Sequence, residues 1–193
     1  MSLESALDEF PKELLLKSGL AARVKPLEPG DARAFHEFFV GMPRQELIFI
    51  KHRVTELPVI QEWCDAIDYG RNLPLLAWAD TRIIGVSTLH QQLGGWKRHI
   101  GRVSVHVHPS SRGRGLAQAL VHEAVEVARA CGLERVEAEF IGGQEGAMKM
   151  FGLLGFSQLV NLPDYVKDMQ AVTHAYVLMG QDLVTDEEYA GMG

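Results

Sequence analysis

Cysteine is scarce, two residues in 193, so no disulfide framework is available to this chain. Cys64 and Cys131 each fall within apolar helical patterns, so buried free thiols and a reducing cytoplasm are expected. No block of lysine or arginine dominates any segment and the net charge is −6, which disfavours a broad basic surface for nucleic acid. No apolar run approaches membrane-spanning length, nothing at the start reads as a secretion leader, and internal repeats are missing. Metal ligands are sparse as well. His106 and His108 alternate on one side of a strand pattern, but no third ligand converges with them, so no metal is expected.

What remains is ordinary globular composition, 47% hydrophobic and 23% charged, at a length that suits one domain. The expected organisation is a polar N-terminal arm over residues 1–20, part helical and interrupted at Pro11. A single domain follows over 21–183, and a mobile tail over 184–193. Ala22–Pro26 reads as a strand, and Pro29-Gly30-Asp31 as a turn ending in an N-cap. Phe35, Phe38 and Phe39 then mark a helix, and Val59, Ile60, Trp63, Cys64 and Ile67 a second one. Leu75–Ala79 and Ile83–Leu89 read as a hairpin around Asp80-Thr81, followed by a strand over Ile100–Val107. A long helix from Leu116 is capped near Gly132, with Gln118, His122, Glu126 and Arg129 as its polar stripe. Val136–Phe140, a helix over Gln144–Leu154, and strands at Phe156–Val160 and Ala175–Met179 complete the order. That order implies a mixed sheet with helices on both faces.

The most informative stretch runs from Val103 to Ala117. An alternating apolar strand ends at Pro109, and an Arg/Gly loop opens directly into the long helix. Such a junction aims unpaired backbone N–H groups and the positive end of a helix dipole at one point, which makes it a phosphate cradle. A nucleoside-triphosphate loop would need Gly-Lys-Ser/Thr where Gly115, Leu116 and Ala117 stand, and fails. A dinucleotide fingerprint would need Gly or Ala where Gln118 stands. The pattern Gln/Arg-x-x-Gly-x-Gly/Ala is met by Arg112, Gly115 and Ala117.

This pattern, with Val105-His106-Val107-His108-Pro109 before it and Gln144-x-x-Ala147-x-x-x-Phe151-x-x-x-Gly155-Phe156 after it, resembles the two signatures of the GNAT superfamily. Those are acyl-CoA-dependent N-acetyltransferases, and the likeness is best between Pro74 and Met179. It implies an α/β fold of the mixed α+β kind, a mostly antiparallel sheet whose parallel central strands splay apart. It also implies transfer of an acetyl group from acetyl-CoA to a primary amine by direct attack. The acceptor would be an amino acid, another small molecule or protein lysine. An acyl-CoA sensor without catalysis is the alternative. The fold also admits a homodimer, although no stretch marks an interface.

Residue by residue, the resemblance places the cofactor pyrophosphate on Arg112, Gly113, Arg114, Gly115, Leu116 and Ala117. Arg112 or Arg114 would also reach the 3′-phosphate, with a solvated surface role as the alternative for Arg114. The backbone of Val105, His106 and Val107 would pair with the pantetheine arm. Gln144 stands where many members carry a cofactor-bonding Asn, and Phe151 where many carry the Tyr that protonates the leaving thiolate. Phe151 has no proton to give and is left to pack against the cofactor.

A lysine-like amine of pKa about 10.4 must lose a proton at a cost of roughly 4.6 kcal/mol at pH 7, whereas an α-amine near 8 costs only about 1 kcal/mol. A base is therefore essential for one acceptor class and optional for the other. Many GNAT enzymes carry a Glu near the start of the strand before the phosphate loop, but Lys97–Arg102 contains no carboxylate. His99 is the nearest titratable base and His90 the second candidate, a solvated hairpin-end histidine being the alternative for both. Glu137 and Glu139 are a third choice, or simply the polar face of their strand. Tyr165, in a segment resembling a hairpin of several small-molecule acetyltransferases, would line the acceptor cleft, act as substitute acid, or anchor the hairpin. Arg44, His52, Arg53, Tyr69 and Arg71 are the polar candidates for the acceptor pocket. Arginines there would suit an acceptor carboxylate.

Overall fold

The structure, a computed structural model, describes residues 3–47, 50, 53–168 and 170–183; the expected tail and His52 lie outside these. Eight strands form one sheet in the order β1-β2-β3-β4-β5-β6-β8-β7. They are β1 (Lys12–Leu15), β2 (Ala21–Pro26), β3 (Asn72–Ala79), β4 (Arg82–His90), β5 (Ile100–Val107), β6 (Arg135–Ile141), β7 (Ser157–Lys167) and β8 (Thr173–Asp182). Every neighbouring pair is antiparallel except β5 and β6, which run parallel. A parallel pair needs a crossover, and helix α5 (Leu116–Ala130) supplies it.

Two apolar layers sandwich the sheet. On one side α5 packs Leu116, Leu120, Val121 and Ala124 against Leu75, Val103 and Val136, with α1 (Leu3–Leu7) and α6 (Glu145–Leu153) beside it. On the other side α2 (Ala32–Val40) and α4 (Leu57–Asp65) bury Phe35, Phe38, Phe39 and Ile60 against Leu76 and Val86. A short α3 (Arg44–Leu47) lies between them in sequence. No helix among the described residues is long and apolar enough to cross a membrane.

Three local readings need revision. The segment read as an N-terminal arm supplies α1 and β1, and β1 pairs with β2 from Lys12↔Val24 to Leu15↔Ala21. Four residues alternating in burial at a charged sheet edge give little periodic signal. Asp31 does not cap α2 with its side chain; the carboxylate instead accepts from the Glu28 N–H and the Lys25 ammonium, both at 2.9 Å. Finally, β7 runs on through Pro163 and Asp164, past the strand end expected at Val160. Asp164 has φ +52° inside a register shift between Leu162 and Val166, and β7 is an edge strand where a missing N–H costs no ladder bond.

Candidate active site

The parallel ladder between β5 and β6 is only three rungs long: Ile100↔Arg135, Gly101↔Val136 and Arg102↔Glu137. Beyond it β5 stays paired with β4 up to Val107↔Gly85, and β6 with β8 up to Ile141↔Tyr176. The facing edges, residues 103–107 and 138–141, are therefore unpaired with one another. The central strands part in a V whose vertex lies at Arg102 and Glu137. Glycine allows the close packing below and beside it. A Cβ at Gly101 would meet Leu133 and Leu89 at 2.8 Å, and one at Gly85 would meet Leu120 of α5 at 2.9 Å.

The open end of the V leads to the Arg/Gly loop. Gly113 and Gly115 adopt φ +71° and +85°, conformations that disfavour any residue with a Cβ. Gly115 is the N-cap of α5 and brings no side chain to it. Among the described residues, no N–H from Gly113 to Gln118 donates to any protein acceptor; the first helical bond is Ala119 N–H to the Gly115 carbonyl at 3.1 Å. A Cβ at Gly113 or Gly115 would meet nothing within 4 Å, so no protein atom packs on the side-chain side of these two residues. Six successive free donors at a helix start are suited to an anion with several oxygens.

Of the two loop arginines, only Arg114 has its guanidinium free of ion pairs among the described residues. Its carbonyl accepts the Ser18 hydroxyl at 2.9 Å, which seats the tip of the β1–β2 hairpin on the loop. Arg112 is engaged elsewhere: its Nε donates to the Val107 carbonyl at 3.0 Å and its two amino groups grip Glu46 at 2.8 and 2.7 Å. Gln144 turns its Oε1 to the Ile141 N–H at 2.9 Å, closing the end of β6. Phe151 is 2% exposed, its ring packed edge-on between Phe140 and Phe156, which leaves almost no surface toward the V.

Alternation along β5 sends Val103 and Val107 into the α5 layer and Arg102, Ser104 and His106 to the opposite face. That face carries the polar groups at the vertex. His90, the register partner of Arg102, meets the Asn72 Oδ1 through its Nδ1 at 2.7 Å and the Ser104 hydroxyl through its Nε2 at 3.4 Å. An acceptor at Nδ1 fixes the proton there and leaves Nε2 as the lone-pair nitrogen. Burial, and after it the Arg102 charge, pulls the His90 pKa down to about 4. Burial likewise lowers that of His106, Arg112 adding to the shift and Glu46 opposing it.

Across the vertex, Glu139 accepts from Arg102 Nη1 and from the Tyr176 hydroxyl, each at 3.2 Å, and Glu137 accepts from the Lys97 ammonium at 2.9 Å. Burial, followed by the charge of Glu139, raises the Tyr176 phenol to about 12, so it stays a donor. Tyr165 is 66% exposed on β7, with its ring 5.9 Å from that of Tyr176. His99 stands on the paired side of the vertex, where its carbonyl accepts the Glu134 and Arg135 N–H groups and braces the ladder. Sequence reasoning named His90 and Tyr165 here but passed over Arg102 and Tyr176. The parallel crossover sets the register of Arg102 with Glu139 and the antiparallel β6–β8 ladder that of Tyr176, and no local spacing reports either.

Among the acceptor-pocket candidates, Tyr69 donates to the Leu27 carbonyl at 2.6 Å. Arg53 and Arg71 form short-range pairs with Glu56 and Asp68 at 3.5 and 3.4 Å. Arg44 is exposed at the start of α3.

Comparison with known proteins agrees with this geometry. The chain is 27% identical over 104 residues to an L-amino acid N-acyltransferase of Escherichia coli; the match covers 46% of this chain and only 60% of that relative's length. The GNAT domain of S. lividans PAT superposes with a TM-score of 0.73 at 20% identity, covering 89% of this chain and 96% of that one. The structure of YncA from Salmonella typhimurium with its cofactor acetyl-CoA superposes with a TM-score of 0.71 at 17% identity, over 85% and 95% of the two chains. The family model of the acetyltransferase (GNAT) family matches residues 37–156, more than half of the chain, and the chain belongs to that family.

Proposed function

We propose that this protein transfers an acetyl group from acetyl-CoA to the primary amine of a small acceptor, an amino acid in preference to protein lysine, by direct attack. One observation carries this reading: six successive amides without a protein acceptor stand at the mouth of two strands that part. The amides of residues 113–118, with Arg114, hold the pyrophosphate. The unpaired backbone of Val105, His106 and Val107 follows the pantetheine arm, and the Gln144 amide nitrogen bonds it from the start of α6. The thioester supplies an activated acyl carbon. At the vertex the chain orients the amine and manages two protons. Glu139 attracts the ammonium and takes its proton; the amine attacks the acyl carbon, and as the C–S bond breaks Tyr165 protonates the departing thiolate and regains a proton from the acylated nitrogen. Its hydroxyl has no partner among the described residues, whereas that of Tyr176 is spent on Glu139. His90, neutral at working pH, orients Ser104. Two free thiols, Cys64 and Cys131, suit the reducing cytoplasm as the site of action.

An acyl-CoA-binding module without turnover is the second reading, favoured by a phenylalanine in the core at position 151. Calorimetry with acetyl-CoA and thiol release with a panel of amines separate the two. Heat of binding with thiol release is expected. Heat without release on any amine establishes the module, and no heat at all overturns both.

A further inference from the structure

The acyl transfer proposed above leaves open what distinguishes a good acceptor, and the vertex bears on that. Arg102 and Glu139 meet from the two parting strands at 3.2 Å, each side chain 42% exposed, so the pair is reachable from the acceptor face. Glu139 keeps its second oxygen on Tyr176, a contact that holds the carboxylate in place if Arg102 swings away. Arg102 spends one amino group on Glu139; its remaining guanidinium N–H groups have no partner among the described residues. One rung below, Lys97 and Glu137 repeat the arrangement at 2.9 Å.

This face thus alternates two cations with two anions. A polyamine would meet repulsion from Arg102 and Lys97 as often as attraction. A lone alkylamine would use Glu139 and leave Arg102 idle. An α-amino acid carries both signs one carbon apart, and it can replace each partner of the pair with its own opposite group. The guanidinium fork matches a carboxylate in two-bond geometry.

We propose that Arg102 and Glu139 form the acceptor's zwitterion site, Glu139 receiving the α-amine and Arg102 the α-carboxylate of a free amino acid. The amine is thereby held at the vertex, where the strands part.

The test compares an L-amino acid with its carboxamide and its decarboxylated amine, side chain unchanged. The wild-type kcat/KM is expected to favour the acid over the amide by about tenfold or more, because only a carboxylate answers the guanidinium fork with two charged bonds. Arg102→Gln brings that ratio toward unity, chiefly through a higher KM for the acid. Lys97→Ala, which removes a neighbouring charge of the same sign, keeps the ratio. Calorimetry of the amino acid onto protein saturated with CoA should give heat that Arg102→Gln abolishes, a readout needing no chemistry. Binding of the acid without turnover would fail the acyl-transfer reading and leave the zwitterion site standing. Equal use of acid and amide by the wild type, or equal losses on both in Arg102→Gln, overturns the site itself.

Discussion

Arg112 and Glu46, 66 residues apart, join in a two-bond fork at 2.8 and 2.7 Å, and the same guanidinium holds the Val107 carbonyl at 3.0 Å. The arginine of the phosphate-loop signature therefore ties α3 to the end of β5 beside His106. A guanidinium so committed supports the loop and the segment after α2; under the proposed function, phosphate contact falls to the amides and Arg114. An ion pair of this exposure is worth up to about 1 kcal/mol, so neither Arg112→Ala nor Glu46→Ala should unfold the protein. Both should change acetyl-CoA affinity by less than about threefold while raising the acceptor KM as α3 loosens. Were Arg112 the pyrophosphate ligand, the two variants would move calorimetric acetyl-CoA affinity in opposite directions, Glu46→Ala tightening it.

Gly115 tests the loop from its backbone. Its φ of +85° is costly for an L side chain, although nothing stands where a Cβ would go. Gly115→Ala is expected to lose roughly 1–2 kcal/mol, shared between folding and loop geometry, and so to weaken acetyl-CoA by up to about tenfold. Gly152 in α6 also has open space about it but a helical backbone. Gly152→Ala should instead raise stability by about 0.5–1 kcal/mol and leave acetyl-CoA affinity unchanged. Equal effects from the two substitutions would refute the loop conformation.

The contrast between these positions shows what a sequence can disclose. Gly113, Gly115 and the α5 stripe lie within one continuous stretch, so turn chemistry and helical period report them directly. The polar cluster does not lie within one stretch. Glu139 reads as the outward face of a strand, and it finds Arg102, 37 residues earlier, only because the parallel ladder starts at Ile100↔Arg135. Register across a crossover depends on how α5 packs, which no local pattern encodes. β1 escaped notice because its four residues are too few for periodicity, and α3 because one helical turn has no face to repeat.

His90 should leave a signature in acid. Burial and Arg102 hold its folded pKa near 4 against an ordinary 6.5. The unfolded chain therefore binds more protons between those values, and stability rises with pH across that window. The contribution is about 3 kcal/mol, fully present above pH 6.5 and lost progressively as pH falls toward 4. His90→Gln keeps an amide for Asn72 and Ser104 without a titrating ring. Its chemical-denaturation midpoint should fall less than that of the wild type between pH 6.5 and 4.5. A positioning role also predicts that the kcat/KM profile has no limb near 4 that His90→Gln removes. Loss of such a limb in the variant would make His90 the base.

The hairpin at the N-terminus is fastened to α5 by charge. Glu123 is only 8% exposed, and its carboxylate takes the Lys12 ammonium at 2.8 Å, while Lys12 also meets Glu9 at 2.9 Å. Burial alone would lower the Lys12 pKa, but Glu123 and Glu9 carry it above its ordinary value, so the ammonium stays charged. Lys12→Met leaves Glu123 on α5 without its cation. The expected cost near neutral pH is about 2 kcal/mol, or roughly 4–8 °C in Tm. Replacing both residues, Lys12→Met with Glu123→Leu, should restore most of the loss at neutral pH. A double variant no more stable than Lys12→Met alone would mean that packing of the lysine stem, and not the ion pair, secures β1 to the helix behind the Arg/Gly loop.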